Sequence, residues 1–206
     1  ICLPLGLAAA WLLARVEFYG KSAVDAVFHL PLVVPPVVVG YLLLILFGRS
    51  GPLGSWLYTH FGISVAFTWK GAAIAAAVMA FPLMVRAMRL SLENVDRRLE
   101  AAARTLGASR VRVFSTITLP LMAPGILVGA VLAFARALGE FGATITFVSN
   151  IPGETQTLPL ALYSLAQTPD GESGALRLAL IAIIVALIAL ILSEWLAKRV
   201  DRHREA

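Results

Sequence analysis

The sequence is poor in everything that builds a water-facing surface, a redox pair or a metal centre. Charged residues make up 14% of its 206 positions, against roughly 25% in soluble domains, while 59% are hydrophobic. So little polar material cannot clothe a soluble domain with a large core. A single cysteine, Cys2, excludes a disulfide within the chain. His29, His60 and His203 stand far apart without neighbouring ligand types, which excludes the spacings of a metal site. No Gly-x-Ser-x-Gly or His-Glu-x-x-His occurs, and Ser, His and carboxylates are not grouped for nucleophilic catalysis. Gly20-Lys21-Ser22 ends like a phosphate-binding loop, but Arg15 stands where that loop needs its first glycine, so no nucleotide site is expected. The chain is therefore read as a non-enzyme with no catalytic residue, metal ligand or cofactor of its own.

What is present is long apolar runs. A spanning helix needs about 20 mostly apolar residues. Ile1 to Ala14 is apolar and then meets Arg15; it is expected to be the tail of a transmembrane helix whose start lies outside this sequence. Four further runs follow. Leu30 to Phe47 and Gly71 to Val85 carry no charge, and the second can extend back to Phe61. Leu121 to Ala135 continues past Arg136 toward Val148, and Leu178 to Ser193 runs on to Ala197. The fold class is thus all-α and polytopic: five transmembrane segments, the first truncated, in one transmembrane domain over 1–206. Pro31, Pro35, Pro36, Pro82 and Pro124 fall inside these runs. Membrane helices tolerate such prolines, either as packing kinks or as breaks that line a path. Gly71, Ala75 and the four-spaced Gly125, Gly129 and Ala133 would let helices approach closely.

The net charge of +5 could suggest nucleic acid, but its distribution does not. Arg15 and Lys21 fall after the first run. Arg86, Arg89, Arg97, Arg98, Arg104, Arg110 and Arg112 fall after the third, and Lys198, Arg199, Arg202 and Arg204 form the tail. The intervening loops hold only Arg49 and Lys70, and no Lys or Arg lies between Phe147 and Leu176. Lys and Arg collect on the cytoplasmic side of a membrane. Loops 15–26 and 86–120 and the C-terminus are expected to face the cytoplasm, and loops 48–68 and 148–174 to face outward. Within the last, Thr157 to Ala166 is apolar but too short to span, so an interfacial or re-entrant helix is expected there.

Loop 86–120 has structure of its own. Met88, Leu92, Val95, Leu99, Ala103 and Leu106 recur at the period of an amphipathic helix, which Gly107 ends. Ser109 can cap a second short helix, Arg110 to Thr116, ahead of Leu119-Pro120. Such a unit is either a solvated loop or a docking element for a partner's groove.

This loop resembles the signature of the inner-membrane permeases of ABC importers: Glu-Ala-Ala, three residues, Gly, nine residues, Ile, one residue, Leu-Pro. Gly107, Ile117, Leu119 and Pro120 keep the spacing, and Ala102 and Ala103 take the alanine positions. The chain departs at the first position, where Ala101 stands and Glu100 comes one residue early. Three stretches, LPLVVPPVVVGYLLL (30–44), LAFARALGEFGATITFVSNIPGETQTLP (132–159) and TPDGESGA (168–175), resemble the molybdate branch of that family. The resemblance implies a type I importer fold and a homodimer in a bacterial or archaeal plasma membrane. It further implies two cytoplasmic ATPase subunits that bind the ATP, an external substrate-binding protein, and molybdate or tungstate moved inward. It assigns Glu100, Ala102, Ala103, Arg104, Thr105, Leu106, Gly107, Ala108, Leu119 and Pro120 to ATPase coupling.

Arg136 and Glu140, four apart on a membrane helix, are either a local ion pair or a gate element. With Thr144, Thr146, Ser149 and Asn150 they are the candidates for lining the path. The alternatives are a permease for another oxyanion such as sulfate, and a passive channel, which has no use for a docking knob.

Overall fold

The computed structural model describes residues 2–205, with side chains from Cys2 to Leu196. The tail charges Lys198, Arg199, Arg202 and Arg204 lie outside the described side chains. Among the described residues every regular element is helical: α1 (Cys2–Arg15), α2 (Lys21–Val33), α3 (Pro36–Phe47), α4 (Pro52–Phe61), α5 (Trp69–Glu93), α6 (Arg97–Thr105), α7 (Arg110–Val113), a π-helical turn (Phe114–Thr118), α8 (Leu119–Leu138), α9 (Gly142–Val148), α10 (Leu158–Ala166) and α11 (Glu172–Glu205).

Three stretches are long and apolar enough to cross a membrane: Trp69–Glu93, the continuous rod Arg110–Leu138, and Glu172–Leu196. The expected span Leu30–Phe47 is not one straight helix. It belongs to α2 and α3, which are bent by 115° at a break and count as a fourth crossing only if taken together. The cause is the Pro-Pro pair. Pro36 disfavours the helical region for the residue before it, and Pro35 accordingly sits at ψ 135° before Pro36 opens α3 at its first turn. The 14-residue α1 is shorter than a full crossing. The loop expected at 48–68 holds a helix, α4, started by Pro52 and ended by Gly62 in the left-handed region.

The chain folds as two compact units. One comprises residues 1–27, 83–133 and 189–206; the other comprises 28–82 and 134–188. In the first, Leu13, Met84, Val85, Met88, Leu92 and Met122 are buried. Gly125 makes close packing there possible: a Cβ on it would come within 2.1 Å of the Ser91 Cβ, and Ser91 Oγ donates to the Met122 carbonyl at 3.3 Å. In the second, Val39, Leu43, Val65, Ala75, Met79, Ala143, Phe147 and Val148 form one apolar cluster, with the Phe47 and Phe147 rings 6.3 Å apart. The outer faces of α11 carry exposed Leu180, Ile183, Leu187 and Ile191, apolar side chains suited to lipid rather than water.

Two helices of the second unit approach closely at Gly40 on α3, where a Cβ would lie 2.5 Å from the Ala143 carbonyl oxygen of α9. Backbone cannot step aside as a flexible side chain can. Gly40→Leu is therefore expected to destabilise the protein by about 3 kcal/mol, at the upper end of the ordinary range for overpacking. A fall in the midpoint of thermal unfolding in detergent micelles checks this; an unchanged midpoint refutes the close approach.

Candidate functional site

The charged loop forms a compact knob made by local capping chemistry. Asn94 to Asp96 interrupt the helix after Glu93, and Asp96 restarts it by accepting the Arg98 amide at 2.8 Å. This side-chain bond satisfies one of the free amides of a helix start. At the other end the Gly107 amide reaches the Arg104 carbonyl at 3.0 Å and the Ala108 amide reaches the Ala103 carbonyl at 3.1 Å. This is the paired closure of a Schellman motif. It places Gly107 at φ +86°, a region that costs little only without a Cβ. Ser109 then caps α7, its hydroxyl oxygen accepting the Arg112 amide at 3.3 Å. The expected helix Arg110 to Thr116 is in fact α7 followed by the π turn, so it does not stop but leads unbroken into α8. Within that turn Ser115 and Thr116 both donate to the Arg112 carbonyl, at 3.2 and 2.6 Å.

The single apolar stripe read from Met88 to Leu106 divides in the same place. Met88, Leu92 and Val95 are buried within the chain. Leu99 is half-exposed and Leu106, at 88%, is almost wholly exposed, as is Val111 at 77%. The Asp96 cap separates the two halves, and the second half has no cover in this chain. Arg97, Arg98, Arg104, Arg110 and Arg112 are exposed around it. Ala102 and Thr105 are exposed and Ala103 and Ala108 half-buried, while the Thr105 hydroxyl donates to the Ala102 carbonyl at 2.7 Å. Glu100 behaves differently. Its carboxylate oxygen Oε1 accepts from Arg15 Nη2 at 2.9 Å and from Thr118 Oγ1 at 2.7 Å. It is engaged inside its own chain, and neither partner was legible as such in the sequence. Leu119 and Pro120 open α8.

The path candidates gather at a second break. The run expected to continue past Arg136 stops at Leu138, and Gly139 to Phe141 separate it from α9. Glu140 bridges this gap. Its Oε1 accepts the Ala143 amide at 2.8 Å, a bond to the first turn of α9 that the N-cap residue Phe141 cannot supply. Its Oε2 lies 2.5 Å from Arg136 Nη1 but off the hydrogen-bonding direction, so the pair is held by charge rather than by an aligned hydrogen bond. The Glu140 side chain is 1% exposed and that of Arg136 25%.

The remaining candidates are brought to one sequence-local cluster with different roles. Thr144 is buried on α9. Thr146 gives its hydroxyl to the Gly142 carbonyl at 2.8 Å. Ser149 ends α9 exposed, with φ +63° and ψ −165°, a region rarely tolerated outside glycine. Asn150 fastens the loop to α10, donating to Ser164 Oγ at 2.7 Å and accepting from Gln156 Nε2 at 3.1 Å. Sequence reasoning missed Thr155, which donates to the Ser149 carbonyl at 3.3 Å and accepts the Ile151 amide at 2.9 Å. The nearby cleft lined by Leu138, Phe141, Leu162, Tyr163 and Ile183 is apolar and supplies no charge for an oxyanion. Among the described residues no group of His, Cys, Asp and Glu could hold a metal ion.

Removing one partner of a buried ion pair leaves an uncompensated charge. Glu140→Ala is expected to cost about 3 kcal/mol, the low end of that range because Arg136 is partly exposed. Arg136→Leu combined with Glu140→Ala should cost less than Glu140→Ala alone. Thermal unfolding of the three proteins decides; a double variant worse than the single one would mean that Glu140 acts only through α9.

The chain matches, over residues 3–202, the family described as binding-protein-dependent transport system inner membrane component. It is 67% identical over 202 residues to the Molybdenum transport system permease protein ModB of Escherichia coli (strain K12), covering 98% of this chain and 88% of that one. It is 65% identical over 200 residues to the protein of the same name from Haemophilus influenzae, covering 97% and 87%. In fold it is similar to a chain of the MetNI methionine ABC transporter, with a TM-score of 0.71 at 16% identity over 97% of this chain and 87% of that one. A helical chain carrying this knob and matching that family across nearly all its length belongs to the binding-protein-dependent transport system inner membrane components: it is a permease subunit of an ABC importer.

Proposed function

We propose that the chain is the membrane permease of an ATP-driven importer that carries molybdate, and tungstate with it, into the cytoplasm. The observation that carries the coupling half of this reading is the uncovered knob, with Leu106 and Val111 exposed beside five arginines. A passive channel has no need of such a surface. The substrate rests on the relatives' names at 67% and 65% identity.

The positive-inside distribution turns loop 86–120 and the C-terminus toward the cytoplasm and loop 148–174 outward. Two copies of the chain pair about a two-fold axis with the path between them, and two ATPase subunits, which bind the ATP, take the knobs from below. An external binding protein delivers the anion from above. ATP binding draws the ATPases together, displaces the knobs and biases the pair toward its outward-open state; hydrolysis resets it. Arg136 and Glu140, with Thr144, Thr146, Ser149 and Asn150, stand along or beside the path. Arg136 attracts the oxyanion, and Glu140 offsets most of that charge. The path thus draws the anion in without holding it, which transport requires.

Two experiments test this. In vesicles holding the permease, its cognate ATPase and its binding protein, ATP-driven uptake of labelled molybdate should be blocked by excess tungstate and not by sulfate. Block by sulfate would retain the importer and discard the substrate. Gly107→Val forces a β-branched residue to φ +86°, a conformation that costs of order 1–3 kcal/mol, and should lower uptake at least tenfold. Normal uptake in that variant would sink the coupling role of the knob.

A further inference from the structure

We propose that Glu100 is the positioning residue that makes α6 a rigid lever, by tying it at once to the end of α1 and to the π turn that leads into α8. This rests on the coupling reading above and adds to it how displacement of the knob reaches two other helices.

Nine residues make up α6, and none is buried. A helix without fully buried side chains is held weakly by packing, and α6 lies chiefly against α7 and the π turn among its neighbours. Its connections are the short capped turns at residues 94–96 and 106–109. One carboxylate adds a direct lateral tie. Glu100 takes Arg15, the last residue of α1, at 2.9 Å, and Thr118, the last residue of the π turn, at 2.7 Å. The Arg15 and Glu100 side chains are only 11% and 16% exposed, and Thr118 is buried. An exposed ion pair contributes little because water competes for both partners. A charge-assisted contact kept this dry, with a hydroxyl on the same oxygen, holds its geometry. Arg15 lies 85 positions before Glu100, and Thr118 lies 18 after it. A push on α6 is therefore delivered to α1 and to the foot of the Arg110–Leu138 rod together.

The wild-type permease, assembled with its ATPase and loaded binding protein in proteoliposomes, is measured first for molybdate taken up per ATP hydrolysed. Absence of ATP-driven uptake there would overturn the importer reading itself. Arg15→Gln is expected to keep the ATPase bound while uptake per ATP falls at least fivefold. Glu100→Gln should fall equally. The double variant should be no worse than either, because the two changes remove one tie. Arg15→Glu with Glu100→Arg should recover at least half the ratio, and Thr118→Val, a milder change, should lose about twofold. Independently of any partner, a nitroxide label at Ala102 should become faster-moving in Arg15→Gln. A normal ratio and unchanged label mobility in Arg15→Gln would overturn the proposal, as would losses that multiply in the double variant. Loss of the ATPase in Glu100→Gln with Arg15→Gln intact would overturn it too, and would place Glu100 against the ATPase.

Discussion

In an apolar slab each backbone N–H and C=O must find its partner inside the protein, because no water is there to substitute. Much of this structure is arranged around that constraint. Long helices satisfy it by themselves, but this chain also breaks helices, and every break needs a replacement bond. At Pro35 the break is cheap on one side, since neither proline has an amide hydrogen to leave stranded. At Gly139 to Phe141 it is not, and a carboxylate is brought in to receive the Ala143 amide. Burying that carboxylate then demands a cation, which Arg136 supplies one turn earlier. The break, the acid and the base are thus one solution to one problem.

The same logic explains where charge is spent across the molecule. In the second unit, the described ionic pair, Arg136 with Glu140, is local and close to neutral. In the first unit charge is plentiful and does two different jobs. Some arginines stay exposed around Leu106 and Val111, where they can meet another protein. Others are drawn into fixed contacts, Arg15 with Glu100 and Arg89 with Asp25 at 3.0 Å. The knob is accordingly soft in its packing but fixed at a few points.

The parts legible in the sequence are those governed by near neighbours. Gly107 as a helix end and Ser109 as a helix start were readable because capping acts over three or four residues. The helical stretch at Thr157 to Ala166 was readable from its apolar run and its length. What escaped needed contacts distant in sequence or competition between nearby ones. Nothing local in Arg15 points to Glu100. The stripe from Met88 to Leu106 looked continuous because its period survives the interruption at Asp96, whose capping role overrides the period. Helix α4 was overlooked although Gly51-Pro52 and Gly62 bracket it, since its ten residues are mixed in polarity. Thr146 and Asn150 are free donors by residue type, yet Thr146 gives its hydroxyl to its own helix and Asn150 gives its amide to α10.

The π turn at Phe114–Thr118 carries a consequence for how the rod from Arg110 to Leu138 is read. A π turn bonds each amide five residues back rather than four, so it takes up an extra residue without advancing the helix in step. One residue of an α-helix corresponds to about 100° of rotation. Side chains on α7 and on α8 therefore keep separate angular registers, although the backbone between them never stops. A wheel drawn with a single period through the whole rod would turn Leu119 and everything beyond it by about that angle relative to Arg110. Two positions that such a wheel sets on one stripe would face different neighbours in the protein.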